Sequence, residues 1–111
     1  MKLPSDAEIN VSKIKDYLLT KRDMGDKSEY LLKAGYAREL FTQLIDDLKE
    51  QILPLDAMLT EETMFGKKFS IIGKLIGPNK KELTVKTIWM QESFSGKWKF
   101  ITLFPAKEKI K

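Results

Sequence analysis

Lysine and threonine are the side chains in this sequence best placed to do chemistry. Thr87 and Thr102 each sit between large apolar neighbours in stretches that read as β-strand, with Lys86 and Lys99 close by in sequence. Two hydroxyls on one side of adjacent strands, with a cation beside them, could hold a phosphate. Threonine is also a good strand former, and cross-strand threonine pairs are routine, so the same pattern has a purely structural account. Lys27 is a third candidate, in the first turn of a helix that Asp26 and Glu29 open in the D-x-x-E form of a capping box. A cation there opposes the helix dipole, which hints at an anion completing the site; a solvated side chain is the plainer alternative.

Residue types absent from the chain exclude more than those present suggest. With no Cys and no His, disulfides, thiolate zinc sites, cysteine nucleophiles and Ser-His-Asp triads are ruled out. Proton transfer falls to Asp, Glu, Lys or Tyr. The carboxylates show no D-x-D type clustering that would mark a magnesium site, and no metal or cofactor is expected. The six glycines are isolated and match neither a P-loop nor a dinucleotide fingerprint.

Charge divides along the chain. Residues 1–65 hold 9 Lys/Arg against 13 Asp/Glu, a balance of −4, whereas residues 66–111 hold 11 against 3, a balance of +8. The basic part carries Trp89, Phe94, Trp98 and Phe100 among its lysines. Lys67, Lys68 and Lys86 could contact a nucleic-acid backbone while Trp89, or Trp98, stacks on a base. Lysines on exposed strands also maintain solubility and discourage edge pairing.

These residues need a scaffold, and the hydrophobic period supplies one. Ile14, Tyr17 and Leu18 recur at helical spacing after Ser12, which is the expected cap of a helix over 13–21. A short helix follows through Tyr30, Leu31 and Ala34 and closes at Gly35. The stripe Leu40, Phe41, Leu44, Ile45, Leu48 and Ile52 marks a third, ended by Pro54. Beyond Gly66 the period becomes two. Phe69, Ile71, Gly73 and Leu75 share one face of a strand, and Leu83, Val85, Thr87 and Trp89 one face of the next. A third strand is expected over 98–104, and a fourth near Asn10 or within 55–64. Helices followed by strands imply an α+β fold, with N-terminal helices on one face of a three- to four-stranded antiparallel meander. At 111 residues this is one domain, with an extended lead-in over 1–10 and a frayed basic tail over 106–111. No run is long and apolar enough for a bilayer and no secretory signal opens the chain, so no membrane partner and a cytoplasmic location are expected.

Several short stretches occur in an order and spacing that resemble a family of small bacterial domains of unknown function. They are Lys15-Asp16-Tyr17-Leu18-Leu19, Gly25-Asp26-Lys27, Ala34-Gly35-Tyr36 and Phe65-Gly66-Lys67-Lys68-Phe69, followed by Gly77-Pro78, Val85-Lys86-Thr87-Ile88-Trp89 and Ile101-Thr102-Leu103-Phe104-Pro105. Members occur alone and at the C-termini of large secreted polymorphic toxins. The layout also resembles the ribonuclease toxins related to barnase, RelE and the colicin nucleases. That likeness implies metal-independent RNA cleavage by attack of a ribose 2′-OH on the adjacent phosphate. It implies Lys27 as acid/base, Lys99 and Lys86 as charge stabilisers, and Thr87 and Thr102 as phosphate-orienting hydroxyls. The partners implied are RNA and a small acidic antitoxin-like or immunity-like protein. The alternative from a different class is a non-enzymatic module that docks an acidic partner protein.

Overall fold

A computed structural model describes residues 1–19 and 28–106 of the chain. Three helical segments, α1 (Lys13–Leu18), α2 (Ser28–Leu32) and α3 (residues 38–52), precede four strands. The strands are β1 (Met58–Thr63), β2 (Gly66–Ile76), β3 (Glu82–Glu92) and β4 (Trp98–Pro105). They form one antiparallel sheet in the order β1-β2-β3-β4, as expected of a meander. The α+β architecture follows from the change of period at Gly66.

Strand alternation separates the two faces of the sheet. Phe69, Ile71, Leu75, Leu83, Val85, Trp89, Phe100 and Leu103 point inward, where Ile14, Leu18, Leu31, Leu44, Leu48 and Ile52 from the helices meet them. The third helix tightens at its start, Arg38–Leu40, and widens into π-type turns at Leu48–Ile52. Its stripe still faces the sheet. Leu44, Leu48 and Ile52 are fully buried, while Leu40 stays exposed, so the apolar face is narrower than the sequence pattern.

One local expectation changes and two become specific. Ser12 does not cap the first helix; the Asn10 carboxamide oxygen accepts from the Ser12 and Lys13 amides at 2.8 and 3.4 Å instead. The stretch 55–64 contains the fourth strand, with Leu59 opposite Phe69 and Glu61 opposite Lys68. The lead-in is extended but tied down at two points. The Glu8 amide donates to the Trp98 carbonyl and the Phe100 amide to the Glu8 carbonyl, each at 2.8 Å, in a parallel bridge along the outer edge of β4. Lys2 bridges Asp56 at the other side. Of the expected basic tail, 107–111 lies outside the described residues.

Candidate nucleic-acid interface

The strand register decides which candidates share a surface. Thr87 lies opposite Leu103, and Thr102 opposite Ile88. The two threonines therefore point to opposite faces of the sheet. The expected pairing of their hydroxyls is corrected by this one-residue offset.

Thr87 has no exposed surface. Its hydroxyl donates to the Ile71 carbonyl at 3.1 Å and accepts from the Trp89 indole N–H at 2.8 Å. A hydroxyl closed in this way cannot reach a solvent-borne phosphate. Trp89 is likewise fully buried, packed edge-on against Phe100 at 5.2 Å. It cannot stack on a base. Both residues serve the core, where the threonine satisfies the one polar atom that burying an indole brings inside.

Thr102, Lys86, Lys68 and Lys99 share the outer, helix-free face by their places in the register. Thr102 and Lys86 are diagonal cross-strand neighbours, at a spacing of roughly 7–8 Å. Lys67 falls on the opposite register, but at the sheet's end, where it is exposed. Lys27 lies outside the described residues.

Ion pairing thins the cationic surface. Lys68 meets Glu61 at 3.4 Å, Lys74 meets Glu82 at 3.4 Å, and Lys99 meets Glu92 at 3.5 Å. All six side chains are about half exposed, so these pairs are weakly held and exchangeable. Lys86 has Ile72 and Phe104 as cross-strand neighbours and makes no ion pair among the described residues.

A concave feature that sequence alone did not reveal runs along β4. Because residues 7–9 bridge the strand edge and α1 follows directly, a wall stands beside β4. Three recesses of about 610, 230 and 360 Å³ lie in the resulting groove. The first includes Thr102, Tyr17 and Lys13; the second Lys13, Lys99 and Lys97; the third Lys97, Trp98 and Asp6. Adjacent recesses share walls: Asn10 and Lys13 line the first two, and Glu8, Lys97 and Trp98 the last two. Trp98 is half-buried, with its ring tilted on Phe69 at 5.0 Å. The only foreshadowing in the sequence was the alternation of lysine with aromatic residues over Lys97-Trp98-Lys99-Phe100. The opposite wall, Glu8 to Lys13, arrives through tertiary pairing.

Chemically, the groove offers ammonium groups, a hydroxyl and aromatic surface in a row. It also holds carboxylates, namely Glu92 paired with Lys99 and the exposed Asp6 and Glu8. Among the described residues no group of three or more Asp or Glu side chains is arranged to hold a metal ion. None of the described helices is long and apolar enough to cross a membrane.

The fold and groove define a small α+β domain with a polar groove along one sheet edge. Residues 2–107 match the family model described as a domain of unknown function (DUF6883), and the chain belongs to that family. No curated protein and no solved structure matches it.

Proposed function

We propose that this chain is a nucleic-acid-directed domain of the toxin type, which takes single-stranded RNA along the β4 groove and cleaves it without a metal. The observation that carries this reading is the row of adjoining recesses that hold Thr102 and Lys99. A cationic groove with interleaved aromatic side chains suits one strand of nucleic acid. Lys13, Lys97 and Lys99 would meet phosphates, whereas Asp6 and Glu8 repel them, so the strand would turn its base edges toward that wall. Cleavage needs the 2′-oxygen to lose its proton and form a bond to phosphorus while the bond to the 5′-oxygen breaks and that oxygen gains a proton. Lys27 is the proposed proton-transfer group. Lys99 would offset the phosphorane charge, released from Glu92, and Thr102 would orient a phosphate oxygen. The burial of Thr87 removes it from this scheme. The site of action is then the cytoplasm, where RNA is found.

The test is incubation of the folded protein with RNA in a chelator. Cleavage that persists in chelator and falls at least 100-fold in Lys27→Ala and Thr102→Ala, with unchanged melting curves, is the expected outcome. Intact RNA at high protein concentration would refute it.

A second reading, a docking module for an acidic antitoxin-like partner, draws on the outer face itself. Met58, Ile72 and Ile76 are exposed there at 70%, 60% and 48%, on the same face as Lys86. An apolar centre among charged residues is the anatomy of a protein interface. An acidic protein encoded beside this chain would form a complex that Lys86→Glu weakens and that salt dissociates.

A further inference from the structure

We infer that the sheet end where the β1–β2 turn meets the β3–β4 loop is a base-stacking platform for unpaired nucleotides. The inference rests on the groove reading above and names what a strand meets on leaving that groove. Met64, Phe65 and Phe94 are 79%, 66% and 95% exposed, so the two largest apolar exposures of the described residues, with Phe65 beside them, gather in two neighbouring turns. The Ser93 amide donates to the Phe65 carbonyl at 3.0 Å and ties the turns together.

Phe94 is not exposed through any looseness of its loop. The Glu92 amide donates to the Lys97 carbonyl at 2.9 Å and the Gly96 amide to the Glu92 carbonyl at 2.8 Å. The Gln91 carboxamide reaches the Gly96 carbonyl at 3.3 Å, and the Ser95 hydroxyl accepts from the Lys97 amide at 3.1 Å. A braced turn that holds a phenyl ring in water forgoes its burial, and an external partner explains that arrangement.

Charge and position select the partner. Lys67 and Lys97 follow Phe65 and Phe94 closely in sequence, and neither forms an ion pair among the described residues, although Glu62 lies opposite Lys67 in the register. Gly96, Lys97 and Trp98 line the end recess of the groove, so the platform continues it. Exposed aromatic rings with lysines close by in sequence complement a chain with π-faces and phosphates. Stacking of this kind requires unstacked bases, which makes the favoured ligand single-stranded.

The experiment measures binding of a labelled, 2′-O-methylated single-stranded oligonucleotide, which resists cleavage, and of the same sequence in a duplex. Phe94→Ala and Phe65→Ala should each weaken single-strand binding by about tenfold and leave duplex binding and the melting curve unchanged. Phe94→Trp should retain affinity. Wild-type affinity in both alanine variants, with weakened binding in Lys13→Ala, would overturn the platform while leaving the groove intact. No binding by the wild-type protein would overturn both. Binding to phosphatidylglycerol vesicles that is lost in Phe94→Ala, with RNA affinity unchanged, would also overturn the proposal and assign the tip to a lipid surface.

Discussion

Two threonines on facing strands have opposite fates here because β4 is offset by one residue from the arrangement that would pair them. Thr87 closes a hydrogen-bonded chain from the Trp89 indole to the Ile71 carbonyl. Thr87→Val removes the acceptor and strands that indole N–H in the core, at a cost of about 1–3 kcal/mol. Urea denaturation should show it. Thr102→Ala, on the outer face, should change stability by less than about 0.5 kcal/mol and act only on RNA cleavage. A second buried polar unit joins α3 to the segment before it. The Tyr36 hydroxyl donates to the Asp47 carboxylate at 2.5 Å, and Gln43 donates to the other carboxylate oxygen at 2.9 Å. Burial, then the hydrogen bond to Asp47 and its charge, push the Tyr36 phenol well above its ordinary range. The unfolded chain therefore loses this proton first, and stability falls as pH rises above the phenol's value in the unfolded chain. Tyr36→Phe should remove this alkaline decline and lower stability at neutral pH by about 1–3 kcal/mol, since Asp47 loses a donor. Melting curves from pH 8 to 11 compare the two proteins directly.

Among the elements, the β2–β3 turn is pinned to the end of α2. Asn79 donates through its backbone amide to the Ala34 carbonyl at 3.2 Å and through its side chain to the Lys33 carbonyl at 2.9 Å. The contact is possible because Gly77 has no side chain, since a Cβ there would sit 2.0 Å from the Ala34 carbonyl oxygen. Gly77→Ala should therefore push the turn off the helix and cost roughly 1–3 kcal/mol, seen as a lowered thermal midpoint. The groove has a similar origin. Its second wall depends on the bridge from Glu8 to β4 through backbone groups, which any residue but proline at that position permits. For that reason the wall left no pattern in the sequence.

Across the whole molecule, the division into an acidic N-terminal part and a basic C-terminal part does not become a separation into two poles. Glu61 on β1 reaches Lys68, and Glu82 and Glu92 take two more lysines of the basic part. Among the described residues of the basic part, Lys86 on the open face, Lys67 and Lys97 at the tip, and Lys80 and Lys81 in the β2–β3 turn make no ion pair. RNA binding should accordingly be modest and salt-sensitive, with log affinity falling by about 0.7 per contacted phosphate for each tenfold rise in salt. Lys13→Ala should reduce that slope by about one contact, which titrations at several salt concentrations would measure.

Period and composition by themselves determined the α+β class, the inward set on β2 and β3 and the exclusion of thiol and imidazole chemistry. Each of these is a local property of the chain: alternation settles which residues share a strand face, and an absent residue type is absent everywhere. The inward set already placed Thr87 and Trp89 beside Val85 and Leu83, so their burial was legible from one strand. Tertiary structure alone decided the register of β4, the glutamate partners of the lysines, the N-terminal wall of the groove and the tie between the turns that carry Phe65 and Phe94. Those are relations between segments distant in sequence. They are fixed by backbone pairing and packing, which the identity of any single side chain does not encode.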